Sequence, residues 1–114
     1  MTLKQVIEKL ELAVCCGERK PDQEVTGGYA SDLLSDVIAN SKAGNVWVTM
    51  QVHVNIVAVA VLKELAAIIL VNGRSPSDDT LRKAKDEGVT ILASKKPAFE
   101  TAGKLYELGI GSRT

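Results

Sequence analysis

The sequence predicts an α/β fold, a three-layer α/β/α sandwich around a mostly parallel sheet of four or five strands. Three observations carry that expectation. From residue 25 onward, short β-branched runs alternate with helical patterns. Residues 67–71 (Ala67-Ile68-Ile69-Leu70-Val71) are continuously apolar, as a strand covered on both faces must be. Turn or cap residues separate the runs, and such alternation implies right-handed helical crossovers between parallel strands. With 114 residues the chain is long enough for one core. Residues 1–110 are expected to form a single domain and 111–114 a tail.

Thr2-Leu3-Lys4-Gln5 has the form of a capping box. Leu3, Val6, Ile7, Leu10 and Val14 keep helical spacing behind it, and a short extended piece follows at 13–16. Residues 17–24 read as a polar connector broken by Pro21. The next unit, Val25-Thr26-Gly27-Gly28-Tyr29-Ala30-Ser31-Asp32, reads as a strand, a bare glycine turn and a helix capped by Ser31. Leu33, Leu34, Val37 and Ile38 should then form an inward stripe.

Val46-Trp47-Val48-Thr49-Met50-Gln51 reads as a strand, and Asn55 as the cap of the run to Lys63. Periodicity leaves 57–61 open between strand and helix. The need for a crossover before the next strand selects helix. Ser75-Pro76-Ser77-Asp78 starts a helix that Gly88 ends. Residues 89–93 form another strand. Pro97 opens a last helix, expected to turn Phe99, Ala102, Leu105 and Tyr106 inward. Gly103 costs that helix stability, which suggests a close backbone contact.

Composition removes several functions. Lysines and arginines number 14 against 14 acids, and aromatics make up 4%. A neutral chain with few stacking rings lacks the footprint of a nucleic-acid binder. Residues 1–14 read as an amphipathic helix rather than a leader. The apolar stretch 54–71 is cut by Lys63-Glu64 and falls short of a membrane span. A soluble, cytoplasmic protein is expected. The adjacent Cys15 and Cys16 read as a buried strand thiol beside a half-exposed one.

In a parallel sheet, ligands collect at the carboxyl ends of the strands. The candidate ligand-binding set is Thr26, Gly27, Gly28, Ser31, Asp32, Gln51, His53, Asn55, Asn72, Gly73 and Lys95, with Thr49, Arg74 and Ser94 on the same rim. Glycines before a helix start suit phosphate, yet no Walker or dinucleotide motif is present. Asp32 and Asp36 could share a hard cation, but a solvated helix face is the simpler reading, and no metal is expected. His53 could act as a base with Ser31 or Ser94 as nucleophile. No nucleophile elbow accompanies them, so no catalytic residue and no cofactor is assigned.

The chain resembles the DRTGG domain family. The resemblance rests on Val25-Thr26-Gly27-Gly28-Tyr29-Ala30-Ser31-Asp32-Leu33-Leu34-Ser35-Asp36, where Thr26-Gly27-Gly28 stands for the name-giving Thr-Gly-Gly. It extends through Gln51-Val52-His53-Val54-Asn55-Ile56-Val57-Ala58-Val59-Ala60, Ile69-Leu70-Val71-Asn72-Gly73-Arg74 and residues 98–106. Glu24-Val25 replaces the family's leading Asp-Arg. The resemblance implies a fold similar to the N-terminal domain of HPr kinase/phosphorylase, without its kinase activity. It also implies an accessory regulatory module that associates as a dimer.

Two functions are therefore expected in competition. One is a non-catalytic regulatory or interaction module, not an enzyme, that forms a homodimer or meets a protein partner. The other is a sensor for a nucleotide or another anionic metabolite at the polar rim. Residues 54–61 are more apolar than one face of a sheet needs, and either complete burial or an interface would account for them.

Overall fold

The computed structural model describes residues 1–17 and 20–111. Glu18 and Arg19 of the expected connector and residues 112–114 of the expected tail lie outside the described residues. The chain runs α1 (Leu3–Leu10), β1 (Ala13–Cys16), β2 (Gly27–Ala30), α2 (Leu34–Asn40), β3 (Asn45–Thr49), α3 (Asn55–Lys63), β4 (Ala67–Leu70), α4 (Asp78–Glu87), β5 (Ile91–Ala93) and α5 (Ala98–Glu107). One five-stranded sheet has the order β1-β5-β4-β3-β2. Strands β2 to β5 are parallel, and β1 joins antiparallel to β5.

The side-chain alternation of each strand builds two cores. Val46, Val48, Ile69 and Leu92 face Leu3 and Val6 of α1 and Leu105 of α5. Trp47, Ile68, Leu70 and Ile91 face Val37 of α2, Ile56 and Val57 of α3 and Ala84 of α4. A sheet covered on both sides explains why β3 and β4 are buried throughout. No helix among the described residues is long and apolar enough to cross a membrane.

Local signals set the helix ends. The Thr2 box closes in both directions, Thr2 Oγ1 accepting from Gln5 N and Gln5 Oε1 from Thr2 N. Ser77, not Ser75, caps α4, and Gly88 ends it with φ of +72°. Asn55 is the first residue of α3 rather than its cap, which is Val54 without a side-chain bond. Residues 54–61 mostly enter the core, with Ile56, Val57, Val59 and Ala60 buried and Ala58 and Val61 outside. Cys16 is buried and its thiol donates to Val89 O at 3.4 Å, while Cys15 is half-buried.

Further expectations are corrected. Gly27 and Gly28 are not a turn: they open β2, paired with Asn45 and Val46, and neither has positive φ. Ser31 does not cap a helix. Its Oγ accepts from Leu33 N, and α2 begins only at Leu34. Phe99 and Tyr106 point outward, 89% and 70% exposed. The inward face of α5 is fixed instead by Thr101 and Leu105, one turn apart. The stripe of α2 is likewise divided. Val37 is buried, but Leu33 is 64% and Ile38 39% exposed, because α2 lies over the last strand of the sheet, packed against β2 and α3.

Candidate functional site

The loop leaving β2 is pinned to the carboxyl end of β3. Asp32 Oδ1 accepts from Thr49 Oγ1 and from Met50 N, each at 2.8 Å. Gln51 Nε2 donates back to Asp32 O at 3.0 Å, and the Trp47 indole N–H donates to Ser31 O at 2.8 Å. A carboxylate holding a backbone amide and a hydroxyl fixes two loop ends at once.

This clamp walls an open cleft of about 320 Å³ lined by Asp32, Met50, Gln51, Val52, His53, Arg74 and Ser77. His53 Nδ1 accepts from Asn55 N at 3.3 Å, which orients the ring ahead of α3. On the far side Asn72, with φ of +59°, and Gly73, with φ of +66°, turn the chain after β4. Their amides donate to Lys96 O and Ser94 O, each at 2.9 Å. Asn72 Nδ2 reaches Met50 Sδ at 3.0 Å. Arg74 is thereby presented at the cleft, and among the described residues its guanidinium has no hydrogen-bonding or ionic partner.

The candidate residues thus divide. Asp32, Gln51 and His53 line the cleft, Ser31 belongs to its clamp, Asn55 opens α3 beside it, and Asn72 and Gly73 stand in the turn after β4. Lys95 is exposed on the loop between β5 and α5, outside the lining. Thr26, Gly27 and Gly28 are not brought there, because β2 begins at Gly27 and its carboxyl end is Ala30. Thr26 Oγ1 instead donates to Ala43 O at 2.8 Å and accepts from Asn45 Nδ2 at 3.2 Å, closing the turn before β3. Met50, Val52 and Ser77 line the cleft without having been singled out for it. Ser77 was legible only as part of a helix start, and the two apolar residues carry no chemical signal in a sequence.

The two acids read as a possible cation pair serve separate structures. Asp36 takes the Tyr29 hydroxyl at 2.8 and 2.9 Å on its two oxygens, and Asn40 Nδ2 at 2.8 Å. The Tyr29 hydrogen bond holds the Asp36 carboxyl below its usual range, and the same contact pushes the Tyr29 phenol up. Burial raises both cysteine thiols.

No protein-family model and no curated protein sequence matches this chain. Among solved structures, one match is the CBS and DRTGG domains of the regulatory region of Clostridium perfringens pyrophosphatase, complexed with the activator diadenosine tetraphosphate. The TM-score is 0.72 at 14% identity, over 91% of this chain and 45% of that one. The two share a fold, and this chain spans less than half of the matched regulatory region.

Proposed function

We propose that this domain is a non-catalytic regulatory module of the DRTGG kind, which senses a phosphorylated small molecule such as a nucleotide at the carboxyl end of its sheet. The observation that carries the reading is Arg74, whose guanidinium is unpaired among the described residues and lines a cleft together with the apolar Met50 and Val52 and the polar Gln51 and His53. Apolar lining suits a planar base, and a guanidinium fork suits a phosphate. The likeness in fold to a regulatory region complexed with a nucleotide activator supports the same reading. So does the use of Asp32 and His53, which hold backbone amides in place.

Thermal unfolding with ATP, ADP, AMP, diadenosine tetraphosphate and inorganic phosphate tests it. A ligand that binds only the folded state at 100 times its Kd adds about 2.7 kcal/mol of stability. At least one nucleotide should raise Tm saturably, and Arg74→Ala should abolish the rise while leaving the ligand-free Tm in place. A flat response to the whole panel, or an undiminished one in Arg74→Ala, overturns the proposal.

A second part of the reading is self-association. It is favoured by the large apolar side chains that α2 and α5 leave on the surface.

A further inference from the structure

Once the hydrogen bonds of the cleft are assigned, four of its polar groups remain open. Asp32 Oδ1 takes Thr49 Oγ1 and Met50 N, and Oδ2 has no partner among the described residues. Gln51 Nε2 donates to Asp32 O, which fixes the orientation of the amide and leaves Oε1 as an open acceptor. His53 Nδ1 accepts from Asn55 N, so the neutral ring carries its proton on Nε2 and offers a donor there. Arg74 is the fourth. Ser77 has no proton to give. Thr80 Oγ1 donates to Val52 O, so the 2.7 Å contact between the two hydroxyls uses the Ser77 proton. The cleft therefore presents two acceptors, one neutral donor and one cation.

Asp32 and Arg74 are opposite charges lining one cleft, yet among the described residues no ion pair joins them. A phosphorylated ligand is thereby oriented. Its phosphate lies toward Arg74, because the Asp32 carboxylate repels it, and a base that donates hydrogen bonds lies toward Asp32. We propose that this base is guanine, with Asp32 Oδ2 accepting from the 2-amino group, Gln51 Oε1 accepting from N1–H and His53 Nε2–H donating to O6. This inference rests on the nucleotide-sensing reading and names the base.

Guanine carries two adjacent donors beside one acceptor on this edge, the complement of two acceptors beside one donor. Adenine has a single amino group there, next to the lone pair of its N1, so one protein acceptor would face a ligand acceptor. A site whose polar groups are left unpaired rejects the analogue that lacks the partner. Met50 and Val52 supply apolar lining for the purine faces, and Asn72 Nδ2 steadies Met50 at its sulfur. A cleft of about 320 Å³ is small for a ligand site. That size suits a base held inside, with ribose and phosphates reaching out to Arg74.

The test is calorimetric titration with the diphosphates of guanosine, inosine, adenosine and xanthosine. Inosine diphosphate lacks only the 2-amino group, and xanthosine diphosphate carries a carbonyl in its place. Guanosine diphosphate should bind about tenfold or more tighter than inosine diphosphate, the scale of one hydrogen bond to a charged group. Adenosine diphosphate should bind no tighter than inosine diphosphate. Asp32→Asn keeps a carbonyl oxygen for Thr49 and Met50 but turns an N–H toward the base, so it should reverse the order of the guanosine and xanthosine ligands. His53→Ala should narrow the gap between guanosine and adenosine diphosphate. If a variant does not fold, the four ligands carry the test on the unaltered chain. Binding of none of them overturns both this inference and the nucleotide reading. The guanine assignment alone falls if inosine or adenosine diphosphate matches guanosine diphosphate. It falls equally if folded Asp32→Asn still prefers guanosine to xanthosine diphosphate, or folded His53→Ala keeps the whole gap.

Discussion

The hydroxyl of Thr49, the last residue of β3, donates to the carboxylate of Asp32 in the loop after β2 at 2.8 Å. The same oxygen takes Met50 N, so one side chain joins two strand ends and shapes the cleft between them. Asp32→Ala leaves the buried Thr49 hydroxyl without this acceptor and should cost about 1–3 kcal/mol. Asp32→Asn keeps a carbonyl oxygen there and should cost less. Urea unfolding of the three proteins orders them, and an Asn variant as weak as the Ala variant would refute the clamp.

The Tyr29–Asp36 bond gives a pH signature. The folded-state value of Asp36 is lowered from 3.8, so its contribution is complete above the unfolded value and fades as pH falls through the folded one. The Tyr29 value is raised from 10.0, so its contribution is complete below 10 and fades as pH rises through the folded value. Tyr29→Phe should flatten stability against pH on both sides. Unfolding midpoints at acid, neutral and alkaline pH check this, and unchanged slopes would count against the bond.

Two residues of one helix should respond oppositely. Leu105→Ala empties a core position and should cost about 2–5 kcal/mol. Phe99→Ala removes an exposed ring and should change monomer stability by about 0.5 kcal/mol or less. Denaturation at low protein concentration separates this from any effect on assembly. A large loss for Phe99→Ala would mean that its ring packs within the chain.

Gly44 and Gly73 both have positive φ, +82° and +66°. Alanine at Gly73 meets nothing within 4 Å and should cost only the left-handed backbone penalty of about 1–2 kcal/mol. Alanine at Gly44 runs into Thr26 Cγ2 at 2.7 Å as well, and should cost more. Equal losses would place the whole effect in the backbone.

The layering was legible because a sheet covered on both faces writes itself into the chain as apolar runs between capped helices. Residues 57–61 fit strand or helix by pattern, and the need to cross back over the sheet decided correctly for α3. Gly27-Gly28 was misread because paired glycines signal a turn, whereas an edge strand has room for them. Phe99 and Tyr106 were misread for a different reason: an apolar residue left on the surface has the same side chain as one bound for the core. The misplacement of Thr26, Gly27 and Gly28 followed from ending β2 too early, which moved them to the wrong end of the sheet. Arg74 stood in the sequence beside Asn72 and Gly73, but only the folded turn shows it without a partner among the described residues.

The antiparallel strand β1 has a consequence for how the fold is reached. It pairs with β5, where Ala13 meets Ala93 and Cys16 meets Ile91, partners far apart along the chain. Every other strand of the sheet is made after β1, and its partner is the last of them. During synthesis Ala13–Cys16 must therefore wait unpaired until β5 has emerged, so closure of this edge is a late, slow step set by loop entropy.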